Sequence, residues 1–466
     1  MQIDATEPLA RRRLARGTAV VAITLVAFPV ILFYAVLFQT ALDLPFYDDY
    51  LSALDFTNQL TQLHSFSAKA SFFLAAQLNE YKLPFEKAII WLQFCLYGHV
   101  NFAVLSAIGN SFVLLLGVML WKMFLPTHKD LGSRLAMFIP VSWLLFQFEY
   151  HELLNWGCAA LQHISVLVFA FASIYLLFRT TRQAFYGAGA CFLLAVASSG
   201  NGFLLFPIGL SVLAMRRRYR RILAWLIACT ACIAAYSYHY NVMSSRSSPD
   251  HSILSAILRL QPAYVVSFMG NAASIPFPLA SFFLGIALCF FFAWMAYRGY
   301  GRRNPAVSCC VLFMLLTAIG VAGIRSDLGL GQSLSSRYTI YSALFLIFAW
   351  FAIVEEFVQH SRTPLLRNDL YLGGVAAAML FSLFMDAVGL AQIKYSSSQL
   401  VQGMSAFEHP NQPGSTEGPD IPSWKGHPNL EAFNPIARAI LLESIRLGVY
   451  RPPALEPASA NETTVR

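Results

Sequence analysis

Charged residues are scarce in this chain. Of its 466 residues, 12% are Asp, Glu, Lys or Arg, whereas soluble domains carry about 25%. Together with a mean hydropathy of +0.57, this scarcity excludes an ordinary soluble enzyme and a disordered chain. The short alternating strands of a membrane β-barrel are also absent, and no Walker-type loop indicates the use of ATP. The composition therefore predicts an all-α polytopic membrane protein.

Long apolar runs, separated by short polar connections, make up most of the chain. A helix needs about 20 mostly apolar residues to cross a bilayer, and the sequence predicts about eleven such spans. The fifth and sixth are short and separated only by SSGNG, so they predict either two spans or one broken re-entrant pair. The predicted spans are 18–41, 101–124, 134–150, 158–178, 184–199, 202–215, 221–240, 277–297, 305–324, 339–357 and 370–391.

Basic residues are unevenly distributed over the predicted connections. With a cytoplasmic N-terminus, 19 of the 32 Lys and Arg residues fall in inside segments, 7 in outside loops and 6 in the C-terminal tail. This is the asymmetry of the positive-inside rule, so the net charge of +8 indicates orientation and not a nucleic-acid partner. We expect a cytoplasmic basic N-terminus at 1–17, a transmembrane domain at 18–391, and an outward-facing polar tail at 392–466 with one short helix.

The first outer loop, 42–100, is too long to be a simple connection. Its segments LDFTNQLTQL and SAKASFFLAAQL have the apolar spacing of helices, and they predict amphipathic helices on the membrane surface. The following segment, NEYKLPFEKAIIWLQFCLYG, carries Glu80, Lys82, Glu86 and Lys87. A loop of this length is usually functional.

Two adjacent carboxylates, Asp48 and Asp49, follow the first span directly in FYDDY, between Tyr47 and Tyr50. Carboxylates this close raise one another's pKa, suit a divalent cation such as Mg²⁺ or Mn²⁺, or act as a general base. The alternative is a solvated start of a loop with interfacial tyrosines. The metal requirement stays open.

A second acidic motif, QFEYHELLNW, lies at the outer end of the third predicted span. It contains Glu149, His151 and Glu152. On a helix, Glu149 and Glu152 would share one face, and His151 could titrate there. Charges at membrane depth usually face a cavity, but a short polar hairpin between two spans explains the motif equally well.

Polar groups also interrupt the later spans. In SSGNG, two glycines around Asn201 permit a break in the backbone whose amides could hold an anion; a tight turn is the alternative. In IRSDLGLGQSLSSRY, Arg325 and Arg337 lie at outer span ends, beside Tyr338. Arginine suits a phosphate, although it also snorkels to lipid headgroups. Asp386 lies within the last predicted span.

Taken together, these features resemble the GT-C class of membrane glycosyltransferases. The resemblance lies in the many spans, the long first outer loop with surface helices, the acidic pair Asp48 and Asp49, and the second acidic motif. The spacing ExxE departs from the tighter DxD or ExD of some members, which puts the use of a metal in doubt.

This resemblance implies an inverting enzyme of a bacterial-type inner (plasma) membrane. Its donor would be a polyprenyl-phosphate-linked sugar, and its acceptor a surface glycan or lipid. Asp49 or Asp48 would be the base, Arg337 and Arg325 would contact the donor phosphate, and Tyr47, Tyr50, Glu80, Asn201 and Tyr338 would line the cleft. A transporter or flippase, and a non-catalytic envelope assembly protein, remain the alternatives.

Overall fold

A computed structural model describes residues 9–124, 131–241, 261–275, 277–358, 364–408 and 434–453. These residues form helices joined by loops, with short π and 3₁₀ turns between some of the helices. The helices are α1 Leu9–Thr40, α2 Phe56–Gln62, α3 Phe66–Ala75, α4 Pro84–Tyr97, α5 Phe102–Met123, α6 Leu131–Leu145, α7 His151–Asn155, α8 Gly157–Leu177, α9 Arg182–Ser198, α10 Leu205–Met215, α11 Tyr219–Ser237, α12 Pro262–Met269, α13 Pro278–Tyr297, α14 Tyr300–Arg303, α15 Pro305–Arg325, α16 Thr339–Ile353, α17 Pro364–Glu408 and α18 Asn434–Arg446.

The described part of the chain contains eight helices long and apolar enough to cross a membrane. They include most or all of α1, α5, α8, α11, α13, α15, α16 and α17. The other three predicted spans are also helical, but α6, α9 and α10 have 15, 17 and 11 residues. The all-α class is therefore confirmed, whereas the count of eleven spans stays a prediction.

Local sequence signals explain where several of these helices begin and end. The side chains of Ser65 and Thr181 accept the backbone amides of Ala68 and Ala184, each at 3.1 Å, which satisfies amides that have no partner inside the helix. Helix α4 begins at Pro84, where no amide is needed, and ends before Gly98 in the left-handed conformation (φ +74°).

The chain divides into two compact units. The first contains Met1–Phe38, Val113–Tyr150 and His251–Leu390. One of its apolar clusters joins α1, α6 and α17 around Ala22, Ile139 and Trp143. The indole of Trp143 donates to the carbonyl of Leu25 at 2.9 Å, so this large side chain is packed and also has its polar atom satisfied.

The second unit contains Gln39–Phe112, His151–Asp250 and Ala391–Arg466. Helices α8 and α9 pack together along their length, and Trp225 of α11 lies against Gly209 of α10. The carboxylate of Asp43 accepts the amide of Phe102 at 2.7 Å at the start of α5. In the same unit, the short helix α18 packs against the turn that follows Asp49.

The end of the chain differs from the predicted boundary at 391. Helix α17 continues to Glu408 because the polar segment that follows contains no proline before Pro410, and Ile393 and Met404 are buried. The predicted short helix of the tail is present as α18. Residues 1–8, 409–433 and 454–466, which belong to the predicted N-terminus and tail, lie outside the described residues.

Candidate functional site

The FYDDY segment forms a tight turn after α1. Tyr47 has a positive φ of 44°, a left-handed conformation that costs a non-glycine residue about 1–2 kcal/mol. Its ring lies 4.0 Å from that of Phe46 and 5.1 Å from that of Trp156, centroid to centroid. These aromatic contacts hold a strained backbone immediately before the two carboxylates, and such strain is typical of functional sites.

Asp49 is fully buried. The amide of Phe46 donates to its Oδ2 at 3.0 Å, and the amide of Cys158 donates to its Oδ1 at 3.4 Å. Burial raises the pKa of Asp49 to about 7, although the hydrogen bonds from Cys158 and Phe46 oppose that rise. Asp49 therefore fastens the turn to the start of α8, and it can exchange a proton near neutral pH.

Asp48 has a different environment from its neighbour. It is half-buried, and its backbone carbonyl accepts the amides of Leu51 and Ser52 at 3.1 and 2.7 Å. A half-buried aspartate can meet a substrate, whereas a fully buried one cannot without a conformational change. The two aspartates thus have separate structural roles.

A buried polar network continues from Asp49 into α4. The Cys158 thiol lies next to the carboxylates of Asp49 and Glu86, and the hydroxyl of Ser52 donates to the Glu86 carboxylate. Glu86 is 1% exposed, so burial raises its pKa; the hydrogen bond from Ser52 and the charge of Lys87 oppose that rise. Asp49 and Glu86 are neighbouring carboxylates, so ionisation of both at once is less favourable than it would be in water.

Two buried lysines accompany these carboxylates. The ammonium of Lys87 donates to the carbonyl of Ala76 at 2.7 Å, and that of Lys82 donates to the carbonyls of Leu74 and Tyr238. Burial lowers the pKa of Lys87, whereas the neighbouring Glu86 raises it. The lysines therefore hold the C-terminal end of α3 and offset part of the buried negative charge.

A cavity of about 190 Å³ opens beside this network. Its wall combines a hydroxyl, a carboxylate, two carboxamides, an ammonium and two aromatic rings. The rings of Phe56 and Phe72 stack with centroids 5.7 Å apart, and Gln59 donates to Asp55 at 2.7 Å. The lining residues are Leu51, Ser52, Asp55, Phe56, Gln59, Phe72, Ala76, Gln77, Leu78 and Lys87.

The other predicted cleft residues of this unit lie apart from the cavity wall. Tyr50 is buried, Glu80 accepts the hydroxyl of Tyr240 through its backbone carbonyl at 3.1 Å, and Asn201 is half-buried in a 3₁₀ turn, Gly200–Leu204. In the same turn, a Cβ at Gly202 would lie 2.4 Å from the backbone of Ala195. The predicted break at SSGNG is therefore a close turn.

The second acidic motif is divided by the fold. Helix α7 begins at His151, so Glu149 lies in the turn before it and does not share a helical face with Glu152. Glu149 is buried in the first unit, where its carbonyl accepts the hydroxyl of Ser336 at 2.9 Å. His151 and Glu152 are half-buried residues of the second unit.

The predicted phosphate-binding arginines belong to the first unit. Arg325 donates to the hydroxyl of Tyr338 at 3.2 Å, and the guanidinium of Arg337 lies 5.3 Å from the centre of the Tyr338 ring. Tyr338 is therefore a shared neighbour of both arginines. Asp386, in α17, accepts the amide of Phe148 at 2.8 Å, which gives this buried carboxylate a structural partner.

Within the described ranges, no group of three His, Cys, Asp or Glu side chains is arranged to hold a metal ion. The predicted divalent cation therefore has no structural support, and none of the steps proposed below depends on it.

Sequence reasoning did not connect four residues of the network and cavity with the acidic pair: Ser52, Asp55, Glu86 and Cys158. One signal was available, since Glu86 and Lys87 are adjacent charges at the start of the otherwise apolar run AIIWLQFCLY. Charges in such a run need buried partners. No comparable signal marks Cys158, which lies in an apolar helix.

Comparison with known proteins adds no assignment. The chain matches no model of a known protein family and no curated protein. A proposal about its function therefore depends on its own residues.

Proposed function

We propose that the chain is an integral membrane glycosyltransferase. It would move a sugar from a polyprenyl-phosphate donor to a surface glycan or lipid acceptor on the outer face of the membrane. The observation that carries this proposal is the contrast between Asp48 and Asp49 directly after the first candidate span, where Asp48 is half-buried and Asp49 is fully buried and bonded to two backbone amides.

Asp48 is the base in this proposal. An acceptor hydroxyl attacks the anomeric carbon of the donor sugar, and its proton passes to the Asp48 carboxylate. The new carbon–oxygen bond forms as the bond from that carbon to the phosphate oxygen breaks, and the leaving polyprenyl phosphate keeps the electron pair. Asp49 positions Asp48, because its bonds to Phe46 and Cys158 fix the turn.

The cavity beside the turn is the proposed acceptor pocket. Carboxylate and carboxamide groups such as Asp55, Gln59 and Gln77 can exchange hydrogen bonds with sugar hydroxyls, and Phe56 and Phe72 supply apolar surface for a sugar ring. The Asp48 carbonyl accepts the amide of Ser52, a residue of the cavity wall, so the base and the pocket belong to one continuous segment.

The membrane arrangement is part of the same proposal. We infer about eleven spans, a cytoplasmic N-terminus, a periplasmic tail and a location in the inner membrane. Support comes from the eight candidate spans and from the distribution of Lys and Arg. Contacts of Arg325 and Arg337 with a donor phosphate, and a role for the Glu149 motif, are separate proposals that need separate variants.

The test is mass spectrometry of envelope glycans and glycolipids from a strain that lacks the gene. The strain is complemented with wild type, Asp48→Asn or a matched control, Asp369→Asn, which removes an exposed carboxylate of α17. Membrane levels of the protein are equalised. We expect the deletion to remove one sugar-sized mass increment, which the wild type and Asp369→Asn restore and Asp48→Asn does not. Unchanged glycans in the deletion, or full restoration by Asp48→Asn, contradict the proposal.

A transporter or flippase of a lipid-linked sugar is the second candidate. It is favoured by Asp386, a buried carboxylate inside a candidate span, since such groups often mark transport pathways. This candidate predicts accumulation of an unmodified lipid-linked sugar in the deletion strain, with restoration by Asp48→Asn and failure of Asp386→Asn.

A further inference from the structure

Seven arginines lie on two connections of the second unit or in the first turn of the helix that follows each connection. One connection joins α8 to α9, and the other joins α10 to α11 and extends into the first turn of α11. We name this group the arginine surface; its members are Arg179, Arg182, Arg216, Arg217, Arg218, Arg220 and Arg221.

Two members of the arginine surface hold the connections together. Arg218 donates to the carbonyls of Arg179 at 2.7 Å and Leu177 at 3.3 Å, and Arg221 donates to the carbonyl of Thr180 at 2.9 Å. Leu177 is the last residue of α8, where carbonyls have no partner inside the helix, and Arg179 and Thr180 belong to the connection that follows. The hydrogen bonds of Arg218 and Arg221 therefore fix the two connections of the arginine surface relative to each other.

Aromatic rings hold two more guanidinium groups. That of Arg216 lies 5.0 Å from the ring centre of Phe178, and that of Arg179 lies 4.8 Å from the ring centre of Tyr175. Stacking of this kind orients the planar guanidinium but leaves its edge able to donate to an oxyanion. Arg182, Arg217 and Arg220 are exposed.

Among the residues that the structure describes, no carboxylate pairs with the arginine surface. The sequence contains no Asp or Glu between Glu152 and Asp250. A second basic cluster shows the contrast. Arg298 and Arg303 donate to the carboxylate of Glu356 at 2.9 and 2.5 Å, so that cluster carries its own counterion.

The location of the arginine surface indicates which external anion binds to it. It follows the candidate span Gly157–Leu177 and adjoins the candidate span that begins at Tyr219, which places it at the depth of lipid headgroups. Tyr186 and Tyr219 are 71% and 68% exposed, as expected of aromatic residues at a membrane interface. A group of guanidiniums at this depth meets phosphates before any other anion.

We propose that the arginine surface is a binding site for the headgroups of anionic phospholipids. The guanidiniums of Arg182, Arg217 and Arg220 bind the phosphate oxygens, while Arg218 and Arg221 keep the two connections in place. This inference is independent of the proposed glycosyltransferase activity. None of the arginines belongs to the FYDDY turn (called the acidic turn below), the buried network or the cavity.

The test uses the full chain, purified in detergent and titrated with phosphatidylglycerol or with phosphatidylcholine. Bound lipid is counted by native mass spectrometry. We expect preferential binding of phosphatidylglycerol by the wild type, and an apparent affinity about a hundredfold lower in Arg182→Gln/Arg217→Gln/Arg220→Gln, since each basic residue near a membrane surface contributes about 1 kcal/mol. High salt should weaken the wild-type preference.

The matched control is Arg298→Gln/Arg302→Gln/Arg303→Gln, which removes the same charge from the cluster in which Arg298 and Arg303 are paired with Glu356. We expect its preference for phosphatidylglycerol to equal that of the wild type. If the triple variant of the arginine surface does not fold, Arg220→Gln alone should lose about fivefold in affinity. Equal binding of the two lipids by the wild type, or equal losses in the two triple variants, would overturn the proposal.

Discussion

Asp48 and Asp49 are neighbours in the chain, yet only Asp49 is sealed from solvent, with one backbone amide bonded to each of its carboxylate oxygens. Substitutions in an acidic pair usually affect the chemistry and the fold together. Because of this difference, substitutions of Asp48 and of Asp49 should affect them separately. Loss of Asp48 should change the chemistry, and loss of Asp49 should change the fold.

Asp49→Asn should destabilise the protein by about 1–3 kcal/mol. The amide nitrogen of asparagine would face one of the two backbone N–H donors, so a buried donor would lose its acceptor. Thermal unfolding in detergent measures this loss, with Asp48→Asn and Asp369→Asn as controls that should unfold near the wild-type temperature. A wild-type unfolding temperature for Asp49→Asn would contradict the role of Asp49 in fixing the turn.

The stability contributed by Asp49 should depend on pH. Burial raises its pKa to about 7 in the folded state, above the unfolded value of about 4. Its contribution is therefore fully present below about pH 4 and is lost as the pH rises through about 7. Wild-type protein should gain more in unfolding temperature than Asp49→Asn between about pH 7.5 and about pH 5. If the unfolding temperatures of the two proteins change equally with pH, this explanation is wrong.

At position 47, glycine should be a more stable replacement than alanine, which is the reverse of the usual order of stability. Both Tyr47→Ala and Tyr47→Gly remove the ring contacts with Phe46 and Trp156, but only glycine adopts the φ of 44° without strain. Chemical unfolding should show Tyr47→Gly to be more stable than Tyr47→Ala by about 1 kcal/mol. If alanine is the more stable replacement, Tyr47 does not hold a strained backbone.

Gly285 should not tolerate a methyl group. A Cβ at this position of α13 would lie 1.9 Å from the carbonyl oxygen of Val266 in α12, whereas a Cβ at Gly320 of α15 meets nothing within 4 Å. Gly285→Ala should therefore lower the unfolding temperature, because two helix backbones must separate. Gly320→Ala should leave it unchanged or raise it, since alanine favours a helix by about 1 kcal/mol over glycine. Similar effects at both positions would show that the two helices are not in close contact.

Sequence patterns predict the helices well, because a run of apolar residues limits the structure to a helix whatever surrounds it. Helix α17 extends beyond the predicted end of the last span at 391, and Ile393 and Met404 are buried in this extension although the sequence around them is polar.

The acidic turn was found from sequence because Asp48 and Asp49 interrupt an apolar context. The residues that surround this turn in the fold could not be identified from such an interruption. Glu86 and Cys158 reach Asp49 only through tertiary packing, from 37 and 109 residues along the chain. Likewise, the shared helical face of Glu149 and Glu152 depends on a helix that begins only at His151.

The acidic turn is supported by a segment made much later. Asn58 donates to Ser444 at 2.9 Å, Val100 donates to the carbonyl of Val449 at 2.8 Å, and Tyr450 donates to the carbonyl of Asp43 at 2.6 Å. Asn58 and Ser444 are 386 residues apart, which corresponds to about 20–80 s of translation. During that time the nascent loop lacks these partners, so a ribosome that stalls before residue 434 leaves a membrane-inserted chain whose acidic turn is unsupported and open to quality-control proteases.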